Sequence, residues 1–62
     1  MFKEHSVVYA TQRINDKIDV GCIGAIVYVY SDDLFEVEFC DEKMNTIDVV
    51  TTSANQIAYK SN

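Results

Sequence analysis

The chain has no proline and no tryptophan, and among its 62 residues only two glycines, two cysteines and one histidine. Each shortage excludes something. No proline-rich linker, repeat or low-complexity segment divides the chain, so it reads as a single domain over residues 1–62. Cys22 and Cys40 are too few and too irregularly spaced for a disulfide framework, and neither belongs to a C-x-x-C pair of the zinc or redox kind. They read as reduced, half-buried thiols, with one intrachain bond as the alternative. His5 has beside it neither a nucleophile to activate nor the further ligands a metal needs. No apolar run approaches the roughly 18 residues of a membrane span, and no basic segment precedes an apolar one as in a leader, so the expected location is cytoplasmic.

Positive charge is also scarce. Five basic residues stand against ten acidic ones, a formal charge of −5. The resulting field repels phosphate backbones, which argues against nucleic acid. It suits a basic protein partner, whose encounter it would steer, or it serves only to keep the chain soluble. Acid pairs at Asp32-Asp33 and Asp41-Glu42 do not follow the spacing of a calcium loop and read as turn residues. Gly21-x-x-Gly24 lacks the lysine and following helix of a phosphate cradle and reads as a tight turn into a strand. No acid–base pair, metal cluster or activated nucleophile stands at usable spacing, so the chain is not expected to be an enzyme or to carry a cofactor.

What is present is β-strand pattern. The chain is 48% hydrophobic, enough for a thin core of the kind that gives a domain this small roughly 3–5 kcal/mol of stability. Ser6 to Ala10 (SVVYA) is rich in β-formers, with Val8 and Ala10 on one face. Thr11 to Val20 is polar, pinned only by Ile14, Ile18 and Val20, and reads as a long surface loop. Ala25 to Tyr30 (AIVYVY) is apolar on both faces. Ser31-Asp32-Asp33 turns the chain into Leu34 to Cys40, where Phe35, Val37 and Phe39 share one face. Asp41 to Asn45 turns again into Thr46 to Thr51, with Ile47 and Val49 on one face. Thr52 to Gln56 suits a single 3-10 turn before a last strand, Ile57 to Tyr59.

Five short strands, a long first loop and a tight turn before the last strand describe an all-β, five-stranded SH3-like barrel. Its expected core is Val8, Ile26, Val37, Phe39, Ile47, Val49 and Ile57. A barrel this small buries only one face of AIVYVY, so the other is expected to support a homodimer. The four tyrosines lack the tryptophan and acidic loop that complete a peptide-binding SH3 groove.

The stretch FEVEF holds the clearest candidate site. If Phe35, Val37 and Phe39 point at the core, Glu36 and Glu38 point outward together, about 7 Å apart along the strand. Folding does not need that pair. With Asp41, Glu42 and Met44 in the next turn, and with Asp48 on the neighbouring strand's outer face, they would form an acidic contact surface for a basic partner. Met44 joins it if it stands exposed at the loop tip, the alternative being that it folds back over the barrel end. The alternative is a gatekeeper, acid placed to stop edge aggregation.

The patterns K-E-H-x-V-V (3–8), G-x-x-G-x-I-V-x-V-Y (21–30), E-V-E-F (36–39) and Asp41-Glu42 with Thr46 resemble, over almost the whole chain, a family of short bacterial domains of unknown function. The resemblance implies a stand-alone SH3-like barrel, and because some members lie beside toxin genes it implies an immunity or antitoxin role. The basic partner would then be a toxin, such as a nuclease. A non-catalytic adaptor or accessory subunit of a larger enzyme or ribonucleoprotein is the alternative. Relatives tend to carry glycine in the turn after Asp41-Glu42; here Asn45, which tolerates positive φ, is expected to take its place.

Overall fold

The computed structural model describes residues 2–61. It consists of β1 (Val7–Ala10), β2 (Ile23–Val29), β3 (Leu34–Cys40), β4 (Thr46–Ser53), a 3-10 turn (Ala54–Gln56) and β5 (Ile57–Tyr59). All pairings are antiparallel and the strand order is β4-β3-β2-β1-β5. This is the expected all-β, SH3-like arrangement. Among the described residues no helix is long and apolar enough to cross a membrane.

Val8, Ala10, Ile18, Ile26, Phe35, Val37, Phe39 and Ile57 form the buried core. Five of these belong to the expected set. Two departures have a common cause in β4. The β3–β4 register pairs Cys40 with Thr46 but Phe39 with Asp48, leaving Ile47 as a bulge. An extra residue reverses the alternation beyond it. Val49, expected in the core, therefore faces outward at 49% exposure, opposite Glu38, and Val50 and Thr52 take the inward positions opposite Val37 and Phe35. Ile47 is half-buried against the core. Thr52, fully buried, satisfies its hydroxyl on the carbonyl of Val50 at 3.0 Å.

A second bulge shapes β2. Its pairing with β3 slips between Ile26 and Tyr28, so Val27 and Tyr28 are both exposed. The first half of β2 lies between β1 and β3, whereas Tyr28 and Val29 pair with β3 alone. Gly24 sits in the first half for a steric reason. A Cβ there would come within 2.9 Å of the Glu38 carbonyl, the Phe39 ring and a Val37 methyl. Gly21 serves a different need, at φ 88° in the turn that enters β2.

The loop 11–22 folds back on itself. The Asn15 carboxamide oxygen accepts from the amides of Lys17 and Ile18 at 2.8 and 2.9 Å, and the Ile14 amide bonds the Ile18 carbonyl at 2.8 Å. This local closure drives Ile18 into the core, while Val20 stays 64% exposed. Phe2, outside any strand, lays its ring edge-on to Phe35 at 5.4 Å and against Tyr59 at 4.6 Å.

Candidate functional site

Residues directly opposite in an antiparallel sheet point to the same side. With Phe35, Val37 and Phe39 buried, Glu36 and Glu38 emerge on the outer face of β3, each half-buried among its neighbours. Across from Glu36 stand Tyr28 on β2 and Thr51 on β4; across from Glu38 stand Ala25 and Val49, and beyond Ala25 stands Val7. Val7, Tyr28, Tyr30 and Val49 are each about half exposed. The outer face therefore presents two carboxylates framed by aromatic and β-branched side chains.

Both carboxylates are held in place. Glu36 accepts from the Thr51 hydroxyl at 2.7 Å on one oxygen and from the Tyr30 phenol at 3.1 Å on the other. Glu38 accepts from the Thr46 hydroxyl. The Tyr30 ring stands edge-on to Tyr28 at 4.9 Å, which fixes the phenol's approach to Glu36. That bond to a carboxylate, with some burial and the negative charge itself, holds the Tyr30 phenol above its ordinary pKa. Among the described residues the one ion pair is Arg13–Asp16, at 3.9 Å in the first loop. Among the described residues no cation pairs with Glu36 or Glu38, and both carboxylates keep acceptor capacity beyond their hydroxyl bonds.

The gatekeeper alternative fails on topology. β3 lies between β2 and β4, so its acids guard no edge.

The turn after β3 is built around Asp41. Its carboxylate accepts from the amides of Lys43 and Asn45, both at 2.9 Å, and from the Asn45 side chain at 3.4 Å. These bonds to the ionised form hold Asp41 below its ordinary pKa, led by the Asn45 amide. The same closure decides which residue takes the left-handed conformation. It is Met44, at φ 68°, and not Asn45 as expected. Asn45 keeps its amide and side chain on Asp41 instead. Met44 is 75% exposed at the tip of the turn.

The six expected contact residues thus separate into three groups. Glu36 and Glu38 lie together on the outer face. Asp41, Glu42 and Met44 sit in the turn beyond the end of β3, with Asp41's carboxylate engaged by the turn itself. Asp48 does not flank the acid pair. The Ile47 bulge sets it opposite Phe39, on the other face of the sheet, and its carboxylate accepts from the amide of Val49 at 2.9 Å.

Beside the turn is a shallow depression of about 290 Å³ lined by Gly21, Cys22, Ile23, Cys40, Asp41, Glu42 and Ile47. Both thiols are free. Cys22 donates weakly to the Cys40 carbonyl at 3.7 Å, and burial together with the nearby Cys40 raises its pKa. Among the described residues no group of three or more His, Cys, Asp or Glu is placed to hold a metal ion. The sequence pattern gave no sign of the tyrosine and threonine partners of the acid pair. Tyr28 and Tyr30 join the face only because of the β2 bulge, which no composition signal marks.

Residues 4–59, most of the chain, match the family described as Domain of unknown function (DUF4926), and the chain belongs to that family. No curated protein and no solved structure matches it.

Proposed function

We propose that this protein is a non-catalytic inhibitor module of the immunity or antitoxin kind, which binds a basic protein partner through the outer face of β2, β3 and β4. The observation that carries the proposal is the state of Glu36 and Glu38. They lie on an interior strand, are oriented by three hydroxyls and, among the described residues, have no cation paired with them. A carboxylate held in this way loses little further freedom when an arginine or lysine docks on it, so more of the pairing energy appears as affinity. Exposed Tyr28, Tyr30 and Val49 around it supply the apolar area and rigid aromatic rings that contact surfaces favour. The immunity or antitoxin role itself rests on the resemblance described above, and a toxin with a cationic substrate groove is the partner that this chemistry fits.

A second copy suits this face less well. Stacking two outer faces would bring the Glu36 and Glu38 pairs of the copies toward one another with no cation between them. A homodimer built on β2 is thus a weaker use of the surface than a basic partner.

The test is co-expression with the product of the adjacent gene. Wild type is expected to rescue growth and to co-purify with that product, in a complex that weakens as salt rises. Glu36→Lys combined with Glu38→Lys should fold normally, since both side chains point outward, and lose about tenfold or more in affinity. A variant that rescues and binds as well as wild type would remove the acidic strand from the interface. Tight binding without any rescue would identify an adaptor.

A further inference from the structure

We propose that Asp48 and Gln56 guard the free edge of β4 against strand addition by a second copy of this chain. β4 is one of the two outermost strands. Backbone direction along β3 is fixed at both ends: the Asp41 amide bonds the Asn45 carbonyl and the Ala54 amide bonds the Asp33 carbonyl, both at 2.9 Å. Residues 33, 35, 37, 39 and 41 therefore direct their backbone groups toward β4. Their partners Thr52, Val50 and Asp48 direct theirs back. That leaves Val49, Thr51 and Ser53 with N–H groups on the open edge.

Two of those three donors are occupied by side chains. The Val49 amide donates to the Asp48 carboxylate and the Ser53 amide to the Gln56 carboxamide oxygen, each at 2.9 Å. Thr51, between them, is the donor left open. An incoming strand would need all three, so it would first have to displace two acceptors.

The sequence of the strand explains why a guard is needed. TIDVVTTS is rich in Val and Thr, contains no Pro or Gly, and has Asp48 as its single charged residue. Eight residues of this composition on an open edge are a template for a like strand. A second β4 paired antiparallel about Thr51 would set each Asp48 opposite Ala54, so no charge of one strand would directly oppose a charge of the other. The guard is thus a property of this edge, separate from the outer face used in the proposed function.

The test separates capping from charge. Asp48→Asn keeps a side-chain carbonyl that accepts from the Val49 amide but loses the charge. Asp48→Ala with Gln56→Ala has the same net charge and loses both acceptors. Sedimentation velocity at high micromolar concentration is expected to show self-association at least about tenfold tighter in the double Ala variant than in Asp48→Asn, which should behave as wild type. Hydrogen exchange on the associated form should show new protection at Thr51. Association to the same extent in both variants would mean that charge alone keeps copies apart, and no association in the double Ala variant would mean that the edge needs no guard; either overturns the proposal. If the double variant does not fold, wild-type amide exchange decides: Val49 and Ser53 should exchange more slowly than Thr51, and equal rates refute the capping.

Discussion

Replacing Met44 by glycine should make the protein more stable while removing an exposed apolar side chain. Met44 adopts φ 68°, a conformation that costs a residue with a Cβ on the order of 1–2 kcal/mol. Glycine adopts it freely but gives back roughly 0.5–1 kcal/mol through the greater freedom of its unfolded chain. The side chain is 75% exposed, so its packing contributes little. The balance is a gain of roughly 0.5–1 kcal/mol, or about 2–8 °C in melting temperature for a domain of this size. Asn45→Gly is the matched control. Asn45 has no positive φ to relieve, and its side chain contributes the 3.4 Å contact to Asp41, so glycine there should lower stability by roughly 0.5–1 kcal/mol. Urea titrations followed by circular dichroism compare the midpoints at constant slope. A lower midpoint for Met44→Gly, or a higher one for Asn45→Gly, would show that the turn places its left-handed residue elsewhere and would refute the reasoning.

Gly24→Ala should cost about 1–3 kcal/mol through overpacking, because its three 2.9 Å contacts include a backbone carbonyl that cannot move aside; a urea midpoint equal to wild type would contradict this. The Asp41 turn predicts acid sensitivity. With the folded pKa below the ordinary 3.8, its contribution is fully present above that value and is lost as pH falls through the depressed one; melting curves from neutral pH into that range should show an acid loss that is smaller in Asp41→Asn. Glu36→Gln should bring the Tyr30 phenol down toward its ordinary pKa of 10.0, read by ultraviolet titration of tyrosinate. An unchanged titration would show that the Tyr30–Glu36 bond does not form in solution.

The strands were legible because alternation is a local signal. Phe35, Val37 and Phe39 could point only inward once one face of β3 was buried, and that fixed the outward course of Glu36 and Glu38. The departures in β4 arise where one residue is inserted into the period. Val49 was misplaced, and with it Asp48, because the Ile47 bulge is a property of the β3–β4 pairing and not of β4 alone. The left-handed turn position was misassigned for a related reason. Asparagine tolerates positive φ, but Asn45 is held by the Asp41 carboxylate, and Met44 takes the strained conformation that remains. Ile18 and Phe2 enter the core region from segments without periodicity, so no pattern announces them.

The separation of acids by their place in the sheet is the step from fold to function. On an edge strand an acidic side chain has a protective use, and Asp48 on β4 has one, closing the Val49 amide. In a turn it has a local use, and Asp41 has one, closing three donors across five residues. Glu36 and Glu38 have neither. β3 is hydrogen-bonded on both sides and has no edge to protect, and no turn depends on either carboxylate. The groups that bind them, Tyr30, Thr46 and Thr51, are neutral hydroxyls that orient the acids without cancelling their charge. Like charges two residues apart on one face repel, and a strand selected for stability alone would place threonine or lysine at one of the two positions. On the proposed function, a pair oriented at that expense finds its compensation when a cation arrives from outside, and a basic partner then accounts for FEVEF better than solubility does.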